Sequence, residues 1–218
     1  MLAKIGNISR ETTAITTVSG EPNWSYIPSA GKFKKTKETL LSEIKDLASR
    51  ASSAGNETEQ EQINRQVLKL RADYLSDVAP DRKSLYHQAE NAIKGHNVKT
   101  GGQQVALGEL SLLYFLERSD NKQSLSGKSF TLAGGATLTC PIMTDGGCGA
   151  VIEKGGTKIL LSNGAGWGYE MTPVELQKKD EFYALYNKAL KEAKNGLAEQ
   201  MRELPDYLED KPTFDGFA

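Results

Sequence analysis

Thiols and imidazoles are the side chains most ready for nucleophilic or metal chemistry, and the chain has two of each: Cys140, Cys148, His87 and His96. A structural zinc site would have to use all four. Seven residues separate the cysteines and eight the histidines, a spacing that matches no compact metal knuckle. His87 lies about 200° around a helix from the apolar Leu85, so it is expected to face water. His96 follows Gly95 in a loop. No metal is therefore expected. The cysteines read as small buried apolar side chains. A disulfide between them is within geometric reach, but a reducing cytosol disfavours it.

Glycine supplies the second candidate. Of the 21 glycines, 11 fall within residues 127–168. The stretch Asn163-Gly164-Ala165-Gly166-Trp167-Gly168 follows an expected strand and precedes an expected helix, the setting of phosphate loops. Its spacing fails. A dinucleotide fingerprint needs glycine three positions after Gly166, where Tyr169 stands, and no Gly-Lys-Ser/Thr follows. Beyond the loop there is one long helix and no second βαβ unit to hold a ribose. No cofactor is expected, and the stretch reads as a strand-to-helix connection with Trp167 packing inward.

The segment Asp145-Gly146-Gly147-Cys148-Gly149-Ala150-Val151-Ile152, followed by a hairpin, resembles the nucleophile segment of the chymotrypsin-fold cysteine proteases of RNA viruses. There a Gly-x-Cys-Gly turn presents the thiol, and backbone amides form the oxyanion hole. The resemblance implies Cys148 as nucleophile and His87 or His96 as its base. It is confined to this segment: such folds are built from strands, whereas residues 36–94 read as helical, and the pocket histidine expected after the hairpin is absent. A cysteine-dependent hydrolase or protease using Cys148 with His96 is thus the alternative reading. Asp145 and Glu175 resemble the first carboxylates of ribonuclease H-like nucleases. That site needs two more acidic residues on further elements, and only a helix and a tail remain.

Charge is the remaining chemistry. Lys32, Lys34, Lys35 and Lys37 surround Phe33 just before a helix, where positive charge opposes the macrodipole. They are either a solvated run or a patch for an anionic partner. Residues 199–218 carry six acidic side chains against two basic ones. With a net charge of −1, bulk binding of nucleic acid is not expected.

Four regions must position these groups. Residues 1–31, punctuated by Pro22 and Pro28, read as an extended N-terminal arm whose Trp24 and Tyr26 need a docking surface in cis or on a neighbour. Residues 32–124 read as helical. Leu40, Leu41, Ile44, Leu47, Ala48 and Ala51 form one stripe; Ile63, Val67, Leu70, Tyr74 and Val78 form another, capped by Asn56 and stopped by Pro80. The two make an antiparallel αα-hairpin. A third helix over 82–94 places Leu85, Ala89 and Ile93 on one face. The densely apolar residues 107–119 read as a buried helix.

Residues 125–204 read as a Gly-rich antiparallel meander, about 128–163, and a long helix. Gly155-Gly156 suits a type I′ hairpin, which pairs Lys154 with Thr157, Glu153 with Lys158 and Ile152 with Ile159. Thr172 as N-cap, Pro173 at N1 and Glu175 at N3 start a helix of about 30 residues, roughly 45 Å long. Residues 205–218 form an acidic tail bearing Tyr207, Phe214 and Phe217.

The expected class is α+β, with a helical hairpin, a small meander, a long C-terminal helix and an extended arm at each end. No apolar run approaches the roughly 20 residues that cross a bilayer, and the N-terminus has no apolar signal stretch. The expected location is cytoplasmic, or within a particle assembled there. Sparse catalytic groups and aromatic-bearing arms point to a non-enzymatic assembly or interaction protein, a subunit of a larger oligomer such as a bacteriophage-type virion component. Its partners would be itself or other protein subunits. Trp24, Tyr26, Lys34, Lys35, Tyr207, Phe214 and Phe217 are the candidate contact residues.

Overall fold

The shift after Leu125 from helical to alternating spacing marks the start of an antiparallel sheet. The computed structural model describes residues 10–11, 16–94, 97–100, 103–142, 148–162 and 166–203. In chain order the elements are β1 (Arg10–Glu11), α1 (Lys37–Ser53), α2 (Glu57–Leu75), α3 (Arg82–Ala92), β2 (Asn97–Thr100), β3 (Gln103–Ala106), α4 (Leu112–Glu117), α5 (Ser119–Leu125), β4 (Ser129–Thr131), β5 (Thr137–Thr139), β6 (Ala150–Lys154), β7 (Thr157–Ser162), β8 (Trp167–Glu170) and α6 (Pro173–Glu203). The α+β class follows directly. The chain divides into unit 1 (residues 1–34 and 67–182) and unit 2 (residues 35–66 and 183–218), so the division falls inside α2 and α6.

Unit 1 holds the sheet, ordered β1-β8-β7-β6-β5-β4 with antiparallel neighbours throughout. It extends beyond the expected meander because β8 adds to β7 after the Gly-rich stretch. Gly155 and Gly156 have φ of 59° and 80°, the two positive values that a type I′ turn requires. Lys154 faces Thr157 and Glu153 faces Lys158, as the sequence predicts, but the third expected pair is not formed. Ile152 pairs with Leu160, and Ile159 is the extra residue of a bulge. Ile159, Leu160, Leu161 and Ser162 are all buried, so β7 loses the simple alternation of a one-sided strand.

Helix α3 lies against β4, β6 and β7 through the stripe of Leu85, Ala89 and Ile93. These join Leu112, Leu113, Phe115 and Leu116 of α4 in one core with the inward residues of the sheet. The apolar run after 107 is helical as expected, a short 3-10 turn followed by α4 and α5. The antiparallel β2–β3 pair was not anticipated in a region read as helical; its register sets Asn97 opposite Ala106 and Thr100 opposite Gln103.

Residues 16–31, a succession of turns and bends, belong to the body of unit 1. Ile27 is 1% exposed and Pro28 is buried. Ala30 and Gly31 donate backbone hydrogen bonds to the carbonyls of Pro80 and Ser76. The Trp167 indole donates to the Gly20 carbonyl at 2.9 Å.

Unit 2 contains α1, the first half of α2 and the last two-thirds of α6. Leu40, Ile44, Leu47 and Ala48 are buried on α1, matching the inner part of its stripe. Thr36 caps α1 by accepting from the Thr39 amide at 3.2 Å. Asn56 accepts from the Glu59 amide at 2.9 Å, while the Glu59 carboxylate reaches back to the Gly55 amide rather than to Asn56 itself. Arg50 donates to Gln66 at 2.8 Å across the two helices. Helix α6 runs 31 residues, close to the length its capped, periodic sequence implies.

Candidate functional site

The two thiols meet at one end of the sheet. The β5–β6 register pairs Thr139 with Val151, and a further bridge pairs Ile142 with Cys148. Continuing that register sets Cys140 opposite Ala150, two positions from Cys148 on the same face. Both side chains are 1% exposed and neither is in a disulfide; the Cys148 thiol donates to the Gly149 carbonyl at 3.7 Å, and each thiol shifts the ionisation of the other. The Cys140 backbone is pinned from the other side, accepting from the Gly127 amide at 2.7 Å and donating to the Lys128 carbonyl at 2.9 Å. Ser126, at the C-terminal cap of α5, donates its hydroxyl to the Lys122 carbonyl and stands near Cys148, and Lys122 in the last turn of α5 adds positive charge.

This arrangement polarises the pair. The neighbouring Cys140 thiol lowers Cys148 to about 7, against the opposing effect of burial, with Ser126 and Lys122 assisting. Cys140 moves the other way, raised by Cys148 and then by burial. Among the described residues, a thiolate at Cys148 is thus favoured by a second thiol, not by an imidazole. His87 is exposed, as expected, and pairs with Glu90 at 3.0 Å. His96, Asp145 and the loop 163–165 lie outside the described residues. Among the described residues, no three His, Cys, Asp or Glu side chains are grouped to hold a metal ion, and no helix is long and apolar enough to cross a membrane.

A second feature of unit 1 is a cleft of about 530 Å³ lined by Glu21, Glu90, Glu109, Lys94, Ser111 and Tyr114, among others. Beside it the turn after Thr16 closes tightly: Thr17 donates to Glu21 at 2.8 Å and Gly20 to Thr17 at 2.9 Å. At its tip Val18 is fully exposed, and the Tyr114 hydroxyl, on a ring 39% exposed, donates to the Val18 carbonyl at 3.1 Å. Gly20 has φ of 81°, and a side chain there would meet Ser111 Oγ at 2.7 Å and the Tyr114 ring at 2.9 Å. The turn is therefore held rigidly against α4. Behind the cleft, burial and then the Glu90 carboxylate push the Tyr86 hydroxyl up.

Of the candidate contact residues, Trp24 and Tyr26 are half-buried against the core of unit 1, Trp24 edge-on to Tyr86 at 5.7 Å. Their docking surface, at least in part, is in cis. Lys34 is exposed, whereas Lys35 pairs with Glu43 at 2.5 Å. Tyr207, Phe214 and Phe217 lie outside the described residues.

Sequence reasoning missed Arg82. Its guanidinium is fully buried and uses all five donor hydrogens: Nε to the Ile159 carbonyl, Nη1 to Pro28 and Glu175, Nη2 to Glu170 and Glu175. The bulge explains the first of these, because it displaces Ile159 from the ladder and turns its carbonyl to the arginine. Glu175 also closes its capping box, accepting from the Thr172 amide at 2.8 Å. The signal was present: Arg82 stands three residues before Leu85, on the apolar stripe of α3. Arg71 likewise lies on the buried face of α2 and donates to the Tyr169 hydroxyl at 3.1 Å.

No protein-family model matches the chain, and neither a curated protein nor a solved structure shows significant similarity to it.

Proposed function

We propose that the chain is a non-enzymatic assembly protein, a subunit of a larger oligomer, and that copies associate through the face of unit 1 bearing Val18, Tyr114 and the glutamate-lined cleft. The observation that carries this reading is Val18, wholly exposed on a turn whose backbone is fixed from both sides. Rigid apolar groups beside a concave polar surface are what interface hot spots use, because little conformational freedom is lost on contact. Charge complementarity selects a second copy as the occupant: Glu21, Glu90 and Glu109 line the cleft, while Lys32 and Lys34 stand exposed around Phe33. Contact between these two different patches would be heterologous, which builds rings or filaments. Bacteriophage virion components are assemblies of this design, and a virion component is the specific form proposed, by analogy of design.

Light scattering on the full chain across protein and salt concentration tests the reading. An oligomer at low salt, weakened by Val18→Asp and by Lys32→Glu with Lys34→Glu, supports it, since exposed charge pairs are screened by salt. A monomer at every concentration and salt condition overturns it. The second reading, hydrolysis by Cys148, is favoured by the lowered thiol, but the group that lowers it is Cys140. That is the chemistry of a dithiol rather than of a cysteine–histidine dyad.

A further inference from the structure

We propose that Cys140 and Cys148 are a redox dithiol that closes to an intrachain disulfide at the end of the sheet, with small-molecule disulfides of the glutathione type as the oxidant. This inference is independent of the oligomeric reading.

Three observations carry it. The first is register. Cys140 and Cys148 are diagonal neighbours on one face of adjacent antiparallel segments; such diagonals hold α-carbons about 7–8 Å apart, so closing to the roughly 4.4–6.8 Å of a disulfide draws the two segments together by about 1 Å or more. The second is proximity. The two buried thiols stand on one face of the sheet, close enough to shift each other's ionisation in opposite directions. Gly149, whose amide donates to the Pro141 carbonyl at 3.1 Å, presents no side chain to that approach. The third is position. The pair is buried, yet Ile142, the bridge partner of Cys148, is 69% exposed, so the sulfurs lie near the surface end of the sheet.

The groups around the pair divide the roles. Cys148 is faced by the Cys140 thiol, by Ser126 and by the Lys122 charge; Cys140 is faced by Cys148 and by the Lys128 charge. The Cys148 thiolate is therefore the attacking group. It forms a bond to one sulfur of the oxidant RSSR, the S–S bond breaks, and RS⁻ leaves and takes up a proton. Cys140 then loses its proton to the departing thiolate or to water and attacks Cys148 Sγ in the mixed disulfide, expelling the second RS⁻. Two protein thiols are oxidised by two electrons, and RSSR is reduced to two RSH.

Oxidation of the folded full-length chain in graded glutathione buffers, followed by maleimide trapping and intact mass measurement, tests this. The expected result is joint loss of both trapping sites, a mass lower by two hydrogens, and no retained glutathione. Cys140→Ser is expected to hold glutathione on Cys148, whereas Cys148→Ser stays unmodified or reacts far more slowly. Circular dichroism verifies folding of each variant, with Cys140→Ala as a second form, and the wild-type result does not depend on them. Thiols that stay reduced in the folded chain under buffers that oxidise the urea-unfolded chain would overturn the proposal. So would a disulfide between chains, and stable glutathione on Cys140 in place of Cys148 would overturn the order of attack.

Discussion

Arg82 and Glu175, 93 residues apart, meet in a fully buried bidentate ion pair with donor–acceptor distances of 2.6 and 2.9 Å. Burying two charges is costly unless each remaining donor and acceptor is satisfied. Here the other three guanidinium hydrogens go to the Ile159, Pro28 and Glu170 carbonyls, and the guanidinium also sits 4.7 Å over the Tyr169 ring. One side chain thus ties the N-terminal segment, the bulge of β7, the end of β8 and the start of α6. Arg82→Met should destabilise the chain by about 3–5 kcal/mol in urea unfolding, the usual cost of leaving a buried charge unpaired. Pairing it with Glu175→Leu should recover only part, because three buried carbonyls still lack donors at about 1–3 kcal/mol each. Full recovery in the double variant would show that the carbonyl contacts contribute little.

Two glycine substitutions separate backbone strain from steric collision. At Gly155 a side chain would meet nothing within 4 Å, so only its positive φ of 59° resists substitution. Gly155→Asn should be nearly neutral, since asparagine tolerates the left-handed region, and Gly155→Val should cost about 1–2 kcal/mol. At Gly20 the same strain is joined by contacts of 2.7 and 2.9 Å with Ser111 and Tyr114. Gly20→Ala should therefore lower the thermal midpoint more than Gly155→Ala does. Equal shifts would mean that the turn moves away from α4 at little cost.

What could be read from the sequence alone divides along these lines. The Gly155-Gly156 turn, the Thr172–Glu175 capping box and the inner part of the α1 stripe are set by neighbours within a few residues and form as read, while Leu41 and Ala51 at the stripe's margin are only half-buried. The Ile159 bulge is not local. It is favoured by a guanidinium arriving from α3, and without that partner the in-register Ile152–Ile159 pair was the simpler expectation. The same holds for the site. The eight-residue step between the cysteines does not place them on one face; the β5–β6 register and the Ile142–Cys148 bridge do. The cleft was invisible because Glu21, Glu90 and Glu109 come together only when the N-terminal segment folds back over α3.

The polarised thiol pair gives the reduced protein a distinct pH profile. Cys148 is lowered from 9.0 to about 7 in the folded chain, so between these values the unfolded chain binds more protons at this position than the folded one. Stability from this group therefore rises as pH goes from about 7 to about 9 and is lost as pH falls through 7. Above 9 the raised Cys140 acts oppositely, since it ionises when unfolded but not when folded. Subtracting the profile of Cys148→Ser from that of the wild type isolates the contribution of the thiol pair. A flat difference between pH 7 and 9 would show that the thiols do not interact in solution.

The N-terminal segment offers the most direct test of the packing. Chains beginning at residue 16 and at residue 32 should behave differently, although an arm free of the body would make them alike. The first keeps Gly20, Trp24, Ile27 and the Pro28 carbonyl; the second removes a buried isoleucine, an acceptor of Arg82 and the acceptor of the Trp167 indole. Of the chain's two tryptophans, only Trp167 survives in the shorter chain, so its fluorescence reports one site. Trp167 is fully buried and stacks edge-on with Tyr86 at 5.3 Å. Its emission should be blue-shifted in the chain from residue 16 carrying Trp24→Phe and red-shifted, with a broad unfolding transition, in the chain from residue 32. A blue-shifted Trp167 and a cooperative transition in the shorter chain would show that unit 1 folds without this segment, and that the contacts of Arg82 and Trp167 with it are accessory.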